Sequence, residues 1–210
     1  MAPFDELERL VPGTGEVLDL GCGSGLFSLQ LALAGDRRVH GVDISAPKVR
    51  QALAAMAGAG VEHRVAIDLV GPGWLPEPDR YDAVIVGDVL YLMEDAEIRR
   101  TVRAACAALR PGGRLVVKEV AASPRWKHRV AMTQELLSVR VLRLTEGNAF
   151  NHHPLETVTD ELTELGWSFE RVPLDRGYPY SHSVVLAAAP TRAAAPETGD
   201  ARRNAGRAQR

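Results

Sequence analysis

The chain has 210 residues, 46% hydrophobic and 25% charged, with 25 Lys and Arg against 27 Asp and Glu for a net charge of −2. That is the make-up of one soluble globular domain with room for a core, and it gives no global electrostatic case for DNA or RNA. No apolar run approaches a membrane span, the start MAPFDELERL is too acidic for a signal peptide, and two scattered cysteines, Cys22 and Cys106, are too few for a disulfide framework or a zinc site.

A reducing, cytoplasmic setting is the expectation, and the elements follow in chain order. EVLDL (16–20) predicts a first strand, broken by Gly21, Gly23 and Gly25. Leu26, Leu29, Gln30 and Leu33 then keep helical spacing as far as Gly35. RRVHGVD (37–43) predicts a second strand and PKVRQALAAMAGAG (47–60) a helix ended by glycine. VEHRVAID (61–68) is a third strand, followed by the loop LVGPGWLPEPDR; YDAVIVGD (81–88) is a β-branched fourth. DAEIRRTVRAACAALR (95–110) is a helix stopped by PGG, and RLVVKEV (114–120) a fifth strand.

Past residue 120 the rhythm changes. Residues 121–150 hold the basic stretch SPRWKHR and a long helical pattern, VAMTQELLSVRVLRL. A helix, LETVTDELTELG (155–166), then precedes WSFERVPLD and YSHSVVLAAA, which predict an antiparallel hairpin closing the sheet. Residues 1–188 thus read as one α/β domain, doubly wound on a mainly parallel sheet. Residues 189–210 carry Arg192, Arg202, Arg203, Arg207 and Arg210, no aromatic residue and little to bury, and read as a disordered tail.

In an open parallel sheet, ligands bind beyond the carboxyl ends of the strands. Standing there are Asp19 to Gly25, Asp43, Asp68, Gly87 with Asp88, and Glu119. Glycines let a ligand approach the backbone, and Asp43, twenty residues past Gly23, suits two ribose hydroxyls. Capping of the following helix or turn is the alternative for Asp43 and Asp68. Asp82 opens its strand away from these ends and reads as structural. Two details weigh against a dinucleotide: Leu26 stands where G-x-G-x-x-G wants its third glycine, and Asp19 puts a carboxylate before the turn. The Lys-Ser/Thr end of a P-loop is missing too.

VLDLGCGSG resembles the first motif of the class I, Rossmann-like S-adenosylmethionine-dependent methyltransferases. VHGVDIS, AIDL, YDAVIVGDVLYLMED and LRPGGRLVVKE follow in the family's order, so the resemblance covers about residues 5–120 well and the later helix and hairpin loosely. It implies a seven-stranded sheet, with S-adenosylmethionine as cofactor, S-adenosylhomocysteine as product and no metal. Asp19, Gly21 and Gly23 would line the methionine end, beside Cys22, with Gly25 shaping the turn. Asp43 would hold the ribose, Ile44 would pack on adenine, Asp68 would accept from the adenine amino group with Leu69 beside it, and Gly87 and Asp88 would lie by the transferring methyl.

The acceptor is less legible. No N-P-P-Y element follows the fourth strand, and Tyr91-Leu92-Met93 stands where many small-molecule members carry a histidine base. Glu119 and Tyr91 are the candidate catalytic residues, ahead of His128, His152, His153 and His182. Residues 121–150 fall where the family builds a lid over the acceptor; Arg125, Lys127, Arg129, Arg140 and Arg143 around Trp126 suit an anionic or lipid-linked acceptor, or form the solvated face of an amphipathic helix. The leading expectation is methyl transfer to oxygen or nitrogen of a small-molecule or lipid-like acceptor, by a monomer or homodimer. The alternatives are an RNA methyltransferase using the basic insert and tail, a non-catalytic S-adenosylmethionine-binding subunit, and, last, an NAD-dependent oxidoreductase.

Overall fold

The computed structural model describes residues 4–120, 153–174 and 182–191. Within them the chain runs α1 (Phe4–Glu8), β1 (Thr14–Leu20), α2 (Leu26–Ala34), β2 (Asp36–Asp43), α3 (Ala46–Ala59), β3 (Val65–Leu69) and β4 (Tyr81–Gly87). A 3-10 turn (Leu90–Leu92), α4 (Asp95–Ala108), β5 (Leu109–Val120), α5 (Pro154–Glu164), β6 (Phe169–Pro173) and β7 (His182–Ala188) complete it. The strands form one sheet in the order β3-β2-β1-β4-β5-β7-β6. β1 to β5 are parallel, and β7 runs antiparallel to both β5 and β6. This is the class I methyltransferase fold.

Each central strand alternates its side chains between two cores. Val17, Ala83, Ile85 and Val116 pack with Leu7, Leu31, Ala52 and Met56 on the side of α1, α2 and α3. Leu18, Val84, Val86, Leu115 and Val117 pack with Ile98, Val102, Leu155, Val158 and Leu162 on the side of α4 and α5. Buried Glu161 ties α5 to α4 through Arg99, at 3.1 Å, and Arg103. At the sheet's opposite end Asp82 accepts from the Glu16 N–H and from Arg110, at 2.8 and 2.7 Å, and so joins β1 and β4 to the start of β5.

The largest boundary differences from the sequence reading are at β3 and β5. β3 starts at Val65 rather than 61, because α3 ends in a left-handed Gly60 and Val61, Arg64 and Val65 close a turn through 2.8 and 3.0 Å backbone hydrogen bonds. β5 starts at Leu109, directly after α4, since burying Leu109 against Tyr81 favours extension; Pro-Gly-Gly falls in the register break between that pair and Ala83 with Arg114. The expected basic insert, including Arg125, Trp126, Lys127, His128, Arg129, Arg140 and Arg143, lies outside the described residues, as do His152 and the tail from 192.

Candidate active site

The β1–α2 turn is fixed by β2. The N–H groups of Gly21 and Cys22 donate to the Val42 carbonyl at 2.8 and 3.0 Å. Asp43 Oδ2 accepts from the Gly23 N–H and Oδ1 from the Ser45 N–H, both at 2.8 Å, so this carboxylate braces the glycine turn and the start of α3. A carboxylate has about four lone-pair sites, which leaves acceptor capacity facing the cavity. Asp19 is buried on the α2 side and accepts from the Ser28 hydroxyl at 2.5 Å. Burial pushes its carboxyl up to about 6, with the Ser28 hydrogen bond opposing and the Asp43 charge adding.

Gly23 and Gly25 do different work. Both lie in the left-handed region, at φ +57 and +76. A Cβ at Gly25 would stand 2.8 Å from Ala52 Cβ and 3.0 Å from Met56 Cε, so this glycine lets α2 start against α3. A Cβ at Gly23 would meet nothing within 4 Å; it faces open space. Cys22 lies in the same wall, and burial raises its thiol, with the Asp19 and Asp43 charges adding, so it is no ready nucleophile.

Beyond β4, Asp88 adopts φ +53, and its Oδ2 takes the buried Lys118 ammonium. Asp88 Oδ1 is buried with no hydrogen-bond partner among the described residues. Glu119 points to the opposite side of the sheet. Its Oε1 accepts from the Val89 and Leu90 N–H groups at 3.0 and 2.7 Å, and it is absent from the cavity wall. Burial raises its carboxyl to about 8, reinforced by the Asp88 charge and opposed by those amides and Lys118. Glu119 therefore holds the loop after β4, while its neighbour Lys118 reaches the cavity: adjacent strand residues face opposite ways. Tyr91, on the 3-10 turn, does line the cavity. His182 is buried at the start of β7, opposite Val120, and burial followed by the Lys118 charge lowers its imidazole to about 4. His153 is exposed at the head of α5.

The cleft at the strand ends has two connected parts. One, about 670 Å³, is walled by Asp19, Gly21, Cys22, Gly23, Asp43, Gly87, Asp88, Tyr91 and Lys118. The other, about 190 Å³, adds Ile44, Val70, Trp74 and residues of α4, and shares Gly21, Asp43, Ser45 and Lys48 with the first. Gly25 is behind the wall. Asp68 and Leu69 are outside both parts: the Asp68 side chain is 64% exposed and sits 2.9 Å from His40 Nε2, whose Nδ1 lies 2.7 Å from the Tyr81 hydroxyl. That carboxylate is paired through Oδ2 with His40 and stands outside the cavity wall. Sequence reasoning missed Lys118, Lys48 and Trp74; the two-residue alternation from Val116 to Lys118 was the available signal for the first. Among the described residues no group of three or more His, Cys, Asp or Glu could hold a metal ion, and no helix is long and apolar enough to cross a membrane.

Residues 17–113 match the family model of a methyltransferase domain. The chain is 34% identical over 116 residues to the 27-O-demethylrifamycin SV methyltransferase of Amycolatopsis mediterranei, a stretch covering 54% of this chain and 42% of that protein. It is 37% identical over 110 residues to the ribosomal protein L11 methyltransferase of Methylococcus capsulatus, covering 50% and 33%. The match therefore spans less than half the length of these relatives. Among solved structures, an S-adenosylmethionine-dependent methyltransferase of Methanosarcina mazei shares the fold with a TM-score of 0.67 at 19% identity, covering 91% of this chain and 99% of that one. A [4+2]-cyclase, SpnF, also reaches 0.67 at 19%, covering 90% and 81%.

Proposed function

We propose that the chain binds S-adenosylmethionine in this cleft and methylates an oxygen or nitrogen of a small-molecule or lipid-like acceptor; the match of residues 17–113 to a methyltransferase domain and the class I fold support this. The observation that carries the reading is the wall itself: Asp19 and Asp43 flank a turn whose Gly23 leaves open space where a side chain would stand. The donor set fits the cofactor. Carboxylates suit its amino group and ribose hydroxyls, Ile44, 52% exposed at the cavity wall, offers an apolar face for adenine, and Gly87 and Asp88, in the same wall, would take the methyl end. The cofactor supplies an electrophilic methyl; the protein's part is to position the acceptor against it and keep water out. Free Cys22 and Cys106 suit work in the cytoplasm, as a monomer or homodimer.

A small-molecule acceptor is favoured by the rifamycin relative. The ribosomal protein relative favours a macromolecular one as the second reading. Calorimetry with S-adenosylmethionine, S-adenosylhomocysteine and NAD tests the cofactor. Micromolar binding of the first two and none of NAD is expected; the reverse defeats the proposal. Asp43→Ala should weaken S-adenosylmethionine binding about tenfold or more through lost ribose hydrogen bonds. Unchanged affinity in a folded variant removes Asp43 from the site.

A further inference from the structure

We propose that Lys118 is an oxyanion-binding group, and that the acceptor is an acidic hydroxyl compound, a phenol or enol, held as its anion against this ammonium. The inference rests on the methyl-transfer reading above and narrows its acceptor. Lys118 lies in the cavity wall with Asp19 and Asp88, yet its side chain is only 2% exposed. Burying an ammonium costs several kcal/mol of desolvation. Among the described residues, Asp88 Oδ2 is the one hydrogen-bond acceptor found for its three donors. Asp88 is itself held at φ +53, a conformation a non-glycine residue keeps only when its surroundings impose it. An apolar side chain would fill this place at less cost, and Asp88 takes only one of the three ammonium donors, so the others are left to meet a ligand oxygen.

The chemistry of the nucleophile separates oxygen from nitrogen. An oxyanion carries three lone pairs, so one accepts from Lys118 while another faces the methyl carbon. An amine has a single lone pair, which the Lys118 N–H would occupy, leaving nothing to attack with. The nearby His182, kept uncharged by burial and by Lys118, adds no competing cation on that face. The acceptor gives its hydroxyl proton to solvent on binding. Its oxygen then bonds to the methyl carbon as the carbon–sulfur bond breaks, and the electron pair of that bond stays on sulfur as the neutral thioether. Lys118 ends as it began.

The probe is 4-nitrophenol, whose ionisation is read by absorbance, titrated across pH into protein saturated with S-adenosylhomocysteine. Bound 4-nitrophenol should ionise at lower pH than the free compound, with its ionisation constant raised about tenfold, and 4-nitroaniline should bind more weakly. Lys118→Met should abolish the shift and Lys118→Arg should keep most of it. Lys118→Met with Asp88→Asn removes both charges together, so the test survives if the single variant does not fold. A shift that persists without Lys118 overturns the inference. So does 4-nitroaniline binding as tightly, or 4-nitrophenol failing to bind protein that calorimetry finds loaded. Protein that does not bind S-adenosylhomocysteine at all defeats the cofactor reading first, and this inference with it.

Discussion

Gly23 and Gly25, two positions apart in the chain, should respond differently to the same added methyl. Gly25→Ala places a Cβ in a left-handed backbone, 2.8 Å from the buried Ala52 Cβ and 3.3 Å from its Cα. Neither atom belongs to a flexible side chain, so helix α3 must move or the backbone must strain. The left-handed conformation costs about 1–2 kcal/mol and overpacking about 1–3 kcal/mol more, for a loss of about 2–5 kcal/mol. Gly23→Ala incurs only the first cost, partly offset by the stiffer unfolded chain, and should lose about 1 kcal/mol or less. Its methyl instead occupies open space at the cavity wall. Urea unfolding should therefore separate the pair by at least about 1 kcal/mol, read at the transition midpoints with unchanged slope. Calorimetry should find Gly23→Ala, still folded, about tenfold or more weaker for S-adenosylmethionine. Equal stability losses refute the packing argument, and unaltered affinity in Gly23→Ala refutes the placing of the cofactor over this turn.

Glu119→Gln tests the buried carboxyl. The folded protein holds the Glu119 proton up to about pH 8 against an ordinary value of 4.5, so this group's contribution is full below pH 4.5 and lost as pH rises toward 8. At about 1.4 kcal/mol per pKa unit, the Gln variant should gain about 2 kcal/mol or more on wild type between pH 5 and pH 8.5; parallel unfolding midpoints across that range count against it. Arg37→Met addresses the anchor of α1. This guanidinium is 2% exposed and donates to Glu8, Pro12, Leu31 and Val11. Its loss should cost about 3–5 kcal/mol, with Glu8→Gln in the same chain recovering part; a loss under 1 kcal/mol in thermal or urea unfolding refutes it.

The strands were legible because five apolar runs alternate with amphipathic stretches, and the glycine turn announced where the first of them ends. What one strand does to its two faces was less so. Lys118 and Glu119 sit side by side in RLVVKEV, and the sequence marks both as polar at a strand end. Only the packing of Val116 against one layer and Val117 against the other decides that the lysine reaches the cavity. Asp68 is hard to read for a related reason. Its position at a strand end is as expected, but its carboxylate pairs with His40, distant in sequence, whose other ring nitrogen meets the Tyr81 hydroxyl. Asp43 fulfils the capping alternative, since both oxygens take backbone N–H groups; a carboxylate with spare lone pairs can brace the turn and still meet a ligand.

The placing of β7 between β5 and β6 has a consequence for synthesis. Of the seven described strands β7 is latest in sequence, yet it is the neighbour that closes the β5 edge, from Arg114 to Val120. A nascent chain that has emerged only as far as α5 has its four other parallel strands and both their helical layers in hand, but leaves the β5 backbone open along the length that carries Lys118. That edge is a template for pairing with another chain. A chain ending at residue 174 should therefore associate through β5, read as concentration-dependent oligomers that the full chain does not form.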